Sequence, residues 1–216
     1  MSKICEFQNQ LAQAREALGS ILKRGRSTNI PIAEYSLANE KVLEAERALA
    51  AATGDQYATP LNLGFYPEAG VSGPLLLQND NGTILTFNAV EIATDDSRGK
   101  RGTACIEFDL CFWTTFGYPN DEALSGHPLY GRGLNAYRIF DVHNSHWGRR
   151  KIEQNRIAFP NTPEFNSRHL IFTFHDSTFE CICKGIKSAS FSTTPYLEIF
   201  SVISNKVLER HQNHEK

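Results

Sequence analysis

Between Gly117 and Gly133 the chain gathers one imidazole (His127), two carboxylates (Asp121 and Glu122), two phenols (Tyr118 and Tyr130) and one guanidinium (Arg132). Residues of these types could do general acid–base chemistry on a polar substrate. His127 would titrate near neutrality and move a proton, with Asp121 and Glu122 as carboxylate partners. Arg132 presents a fork that matches carboxylate or phosphate, and Tyr118 and Tyr130 add hydrogen-bonding edges for a ligand. Glycines at 117, 126, 131 and 133 let the backbone turn sharply toward a bound molecule. A long segment without its own periodicity often carries function. The same residues also suit a surface loop held by turns, such as Tyr118-Pro119-Asn120-Asp121.

Other candidates carry less. His143 and His146 have the spacing of a metal-binding pair, with Glu153 beyond them. A zinc or iron site needs further ligands, for which His127, His175, Asp176 and Asp141 are available only if the fold assembles them. The two histidines straddle a strand-to-helix junction, and nothing in their spacing demands a metal. No metal and no other cofactor is therefore assigned. His175-Asp176-Ser177 has the residue types of a catalytic set, but those roles are defined by geometry rather than adjacency. In sequence these residues fill a hairpin turn. Arg98-Gly99-Lys100-Arg101 and Arg149-Arg150-Lys151 are basic clusters, yet most aromatics fall on faces that apolar neighbours mark as core. Nucleic acid is thus not an expected partner. No glycine-rich phosphate loop is present.

The net charge of −2 offers no global attraction to nucleic acid or an anionic membrane. No apolar run is long enough to span a bilayer. The opening residues lack the apolar core of a secretory signal. The five cysteines are odd in number and sit mostly in apolar segments. They read as reduced, packed thiols of a cytoplasmic protein rather than as a disulfide framework.

The elements that must position these groups come in two styles. Ile4, Phe7, Leu11, Ala14, Leu18 and Ile21 recur at alternating steps of three and four. After a short polar connector, Tyr35, Ala38, Val42, Ala45, Leu49 and Ala52 do the same. Two such stripes predict an antiparallel helical hairpin over residues 1–54, with Thr28 or Asn29 as cap of its second helix. Its alanine-rich end admits close approach of a partner helix. From Tyr57 onward, Gly, Pro, Asn and aromatics replace the helical period. Leu75 to Phe87, around Asn79-Asp80-Asn81-Gly82, reads as a β-hairpin. Residues 104–112 alternate, with Ile106, Phe108, Leu110 and Phe112 on one face and Cys105, Glu107, Asp109 and Cys111 on the other. A second hairpin spans residues 169–184, with Phe174 expected opposite Phe179, Phe172 opposite Cys181 and Leu170 opposite Cys183. Helices are expected over residues 146–156, anchored by Trp147, and after Thr194-Pro195, with Leu197, Phe200, Ile203, Val207 and Leu208 as the apolar stripe and a frayed tail from His211.

These features predict an α+β protein: an N-terminal antiparallel helical hairpin, then a mostly antiparallel β-sheet domain over residues 55–216 covered by one or two helices. Two function classes follow. One is a cytosolic binding or assembly protein whose hairpin associates with a second copy or a protein partner, with a small-molecule ligand also in view. The other is a small hydrolase or lyase with a His/Asp/Arg site in residues 117–150. The first is preferred, because no catalytic constellation is legible.

Overall fold

The computed structural model describes residues 3–25, 29–71, 73–80, 82–93, 99–162 and 166–214, with side chains described through Asn205. Thr28, Asn81 and Arg98, singled out above, lie outside the described residues, as do the side chains of Val207, Leu208 and His211. The chain is α+β and divides into two compact units. One comprises Met1–Thr59, Ser125–Leu134 and Val142–His146; the other comprises Pro60–Leu124, Asn135–Asp141 and Trp147–Lys216. No described helix is long and apolar enough to cross a membrane.

The first unit is built on two helices, α1 (Lys3–Gly25) and α2 (Ile32–Thr53). They pack antiparallel, and the apolar stripes meet: Leu11, Ala38 and Val42 are buried. The Arg24–Glu34 ion pair ties the connector end. Pro31 takes the cap position of α2 and no side chain caps it, so the expected polar cap is replaced by a proline with extended backbone. Gly54 ends the helix in the left-handed region at φ 75°, and its N–H returns to the carbonyls of the last turn.

The second helix buries a further strip that the heptad pattern does not contain, namely Leu43, Glu46 and Ala50. Glu46 explains it. Its carboxylate accepts Arg15 Nη2 at 3.0 Å from α1 and the backbone N–H of Gly133 at 3.3 Å from the segment Ser125–Leu134. A buried carboxylate needs such partners. Gly133 can approach because it lacks a side chain: it sits at φ +92°, and a Cβ there would lie 2.5 Å from the Ala58 carbonyl oxygen and from Arg47 Cγ.

The strands are β1 (Tyr57–Pro60), β2 (Phe65–Pro67), β3 (Leu75–Asn79), β4 (Gly82–Glu91), β5 (Arg101–Gly117), β6 (Ile139–His143), β7 (Arg168–Thr173) and β8 (Thr178–Ser192). They hydrogen-bond in the order β1-β6-β7-β8-β5-β4-β2, and β3 shares the outer edge of β4 with β2. The pairings of β2 and β3 with β4, of β4 with β5, and of β8 with β5 and β7 are all antiparallel.

In the second unit the sheet curls on itself. Phe87 on β4 meets Phe174, just beyond β7, at 5.2 Å between ring centroids, although β5 and β8 separate those strands in the ladder. The concave face is filled by Leu85, Phe87, Ile106, Phe108, Leu170, Phe172, Phe179, Cys181 and Cys183, all buried. Two helices belong to the sheet region. In α3 (His146–Ala158), Trp147 packs its ring edge-on to the buried His169 at 5.2 Å, the anchoring expected of it. In α4 (Tyr196–His214), which packs against β4 and β5, the inward positions are Tyr196, Ile199, Phe200 and Ile203. Leu197, expected on that stripe, is exposed instead, and the helix continues past His211 to His214.

Three expectations about register are corrected. The β7–β8 hairpin is offset by two residues from the expected register, with a turn of the same length: Phe172 lies opposite Phe179, Leu170 opposite Cys181 and Arg168 opposite Cys183. A two-residue slip keeps every side chain on its face, so the apolar pattern alone did not expose it. In the β3–β4 hairpin Asn79 pairs with Gly82, which places Gly82 in the strand rather than in the turn. The alternation of β5 breaks at Leu110, which takes φ 42°, with register irregularities on either side. Beyond the break Cys111, not Leu110, packs on the core, and Leu110 and Phe112 are exposed. Before the break each carboxylate has its own cation: Glu107 meets Lys187 at 2.7 Å and Asp109 meets Lys184 at 3.3 Å.

Candidate functional site

The residues proposed from sequence fall into different units. Tyr118, Asp121 and Glu122 belong to the sheet unit; His127, Tyr130 and Arg132 belong to the hairpin unit. The stretch also carries a short 3₁₀ turn, Leu124–Gly126.

Within the hairpin unit His127 braces the segment's own backbone. The Nδ1 of His127 accepts the Leu129 N–H at 3.2 Å, and its carbonyl accepts the Tyr130 N–H at 2.9 Å. The Arg132 guanidinium lies 3.8 Å from the Asp55 carboxylate, and its carbonyl accepts the Ala58 N–H. Tyr130 is exposed.

Within the sheet unit Tyr118 is exposed. Asn120 and Asp121 turn the backbone locally: their side-chain oxygens accept the N–H groups of Ala123 and Glu122. The other oxygen of Asp121 makes the more reactive arrangement. It accepts the Tyr137 hydroxyl and lies 3.0 Å from His175 Nδ1, while Nδ1 and the Tyr137 hydroxyl are 3.1 Å apart. The phenol and imidazole rings stack at 21°.

Local backbone places each member. Tyr137 holds φ 57°, unusual for a residue with a side chain, which aims its phenol back at the loop. His175 sits in the β7–β8 turn, where the Phe174 N–H bonds the Ser177 carbonyl. The Asp121 N–H bonds the His175 carbonyl at 3.0 Å, and the Thr178 hydroxyl bonds the Pro119 carbonyl, so loop and turn are stitched through main chain as well.

The electrostatics follow from the triangle. Hydrogen bonds from Tyr137 and then His175 hold the Asp121 carboxyl below the usual carboxylate range. The Asp121 bond raises His175 above an ordinary histidine. Burial, reinforced by Asp121, raises Tyr137. A carboxylate that only accepts leaves the proton on His175 Nδ1, so the neutral ring would present Nε2 as the basic nitrogen. That nitrogen lies 3.9 Å from Asp176. The arrangement could serve as a carboxylate-oriented base, and it equally well pins a turn to a loop.

Tyr137 and His175 were not chosen from sequence. They stand 16 and 54 residues from Asp121, and no local pattern links them. The metal pair does not develop: the Nε2 of His143 meets the Thr59 hydroxyl at 2.8 Å, and its ring stacks on Tyr57. Among the described residues no three His, Cys, Asp or Glu side chains converge on one point. None of the five cysteines forms a disulfide, and Cys181 and Cys183 are buried.

The chain matches no family model, no curated protein and no solved structure.

Proposed function

We propose that this is a binding and assembly protein that associates through its N-terminal helices, and that the occupant of the association surface is a second copy of the same chain. The observation that carries the reading is an open groove of about 680 Å³ at the free end of the hairpin, lined by Lys3, Ile4 and Phe7 of α1 and by Ala48, Ala51 and Ala52 of α2. Large apolar side chains stand on one wall and alanines on the other. Ile4 and Phe7 of one copy could fill the alanine hollow of the next while receiving the reciprocal contact. Such a surface is self-complementary, which is the requirement for a two-fold dimer. Small residues at the contact let helices approach closely.

Comparing the sedimentation of the full chain with that of Ala51→Glu tests the reading. The wild type should run above the mass of one 24.2 kDa chain, and Ala51→Glu should return it to one chain with its helix content intact. A wild-type chain that stays at single-chain mass at high micromolar concentration would refute it.

One observation favours the second class, a small hydrolase or lyase. The Asp121–His175 pair has the distance of an oriented base, so in that reading His175, rather than His127, is the proton acceptor. Loss of a hydrolytic or elimination activity in His175→Gln, with unchanged thermal stability, would support it.

A further inference from the structure

The convex face of the sheet unit carries a polar ladder unlike the phenylalanine-filled side. Thr103, Cys105 and Glu107 on β5 stand directly opposite Ser192, Ser190 and Ser188 on β8. Helix α4 crosses above them and leaves a groove of about 460 Å³, lined also by Ile84 of β4, beside Glu107, and by Ile199, Val202 and Ile203 of α4. That volume falls within the roughly 300–1,000 Å³ typical of small-molecule clefts.

The lining selects among ligands. Among the described residues four aliphatic side chains and no aromatic ring line it, so a base or other planar ring finds no stacking platform there while an alkyl chain finds a wall. The hydroxyls accept as readily as they donate. Among the described residues no lysine, arginine or histidine lines the cavity, but two carboxylates do. Glu107 is held by Lys187, which leaves Glu198, exposed and with no ion pair among the described residues, as the second carboxylate. Glu198 stands in the first turn of α4, where it already supplies the negative charge that a helix start favours, so a second anion would be repelled.

We propose that this groove binds an aliphatic amine. The ammonium group meets Glu198 and donates to the hydroxyl ladder, and the alkyl chain lies along Ile84, Ile199, Val202 and Ile203. The site is separate from the helical hairpin, so its failure and the failure of the association reading are distinguishable.

Titration calorimetry on the full chain with n-octylammonium, n-octanoate and n-octanol tests the proposal. Octylammonium should bind saturably with one site per chain, and octanoate should not. Glu198→Gln should weaken octylammonium about tenfold or more while leaving the weak binding of octanol unchanged. Ala51→Glu, at the hairpin, should leave all three isotherms as in the wild type. Absence of saturable octylammonium binding, octanoate binding of equal strength, or an unchanged affinity in Glu198→Gln would each overturn the proposal.

Discussion

Asp121 and His175, 54 residues apart in the chain, meet at 3.0 Å between a carboxylate oxygen and Nδ1, with the Tyr137 hydroxyl bonded to that same oxygen. The contact gives the sheet unit a defined dependence on pH. His175 is raised in the folded state, so its contribution is fully present below the unfolded histidine value of about 6.5 and is lost as pH rises through the folded value. Asp121 is lowered, so its contribution is present above about 3.9 and is lost as pH falls through the folded value. Thermal midpoints measured across pH should therefore decline on both sides of a weakly acidic maximum. In His175→Gln the alkaline-side decline should shrink. An unchanged profile in that variant would mean that the pair contributes nothing to stability.

Glu46 and Gly133 form the corresponding tie of the hairpin unit. Glu46→Ala strands the Gly133 N–H and frees Arg15, and should cost about 1–3 kcal/mol in denaturant unfolding. Gly133→Ala should cost at least as much, because both the positive φ and the 2.5 Å approach to the Ala58 carbonyl oppose a methyl group. If Gly133→Ala is as stable as the wild type, the close packing of this segment on α2 is incorrect.

The thiols should separate by rate. Burial, then contact with Cys111 and Cys183, raises Cys181 well above an ordinary thiol, whereas the bond from Cys181 lowers the partly exposed Cys111. Native alkylation followed by mass spectrometry should modify Cys111 first and Cys181 and Cys183 last. Early modification of Cys181 would show that the concave core opens to solvent.

The helical hairpin was legible because a repeat of three and four leaves one stripe that only a partner can cover, and Leu11, Ala38 and Val42 are where that stripe predicts. Glu46 was not, since a lone carboxylate within an amphipathic helix reads as solvated until its partner at Gly133 is known. The sheet was legible as strands and faces but not as register. The two-residue slip in β7–β8 preserves the apolar pattern, and nothing in the composition around Leu110 marks a left-handed residue that turns Cys111 inward. Of the candidate site, Asp121 was named from sequence, but its partners come from a turn and a distant segment whose own local chemistry reads as ordinary turn formation.

The central claim, self-association through the free end of the hairpin, is tested most directly by a photo-cross-linking residue placed at Phe7 in a mixture of isotopically light and heavy chains. The account predicts cross-linked peptides that join position 7 of one isotopic form to residues 48–52 of the other. Cross-links formed only within single chains, at concentrations where the protein is fully folded, would contradict it.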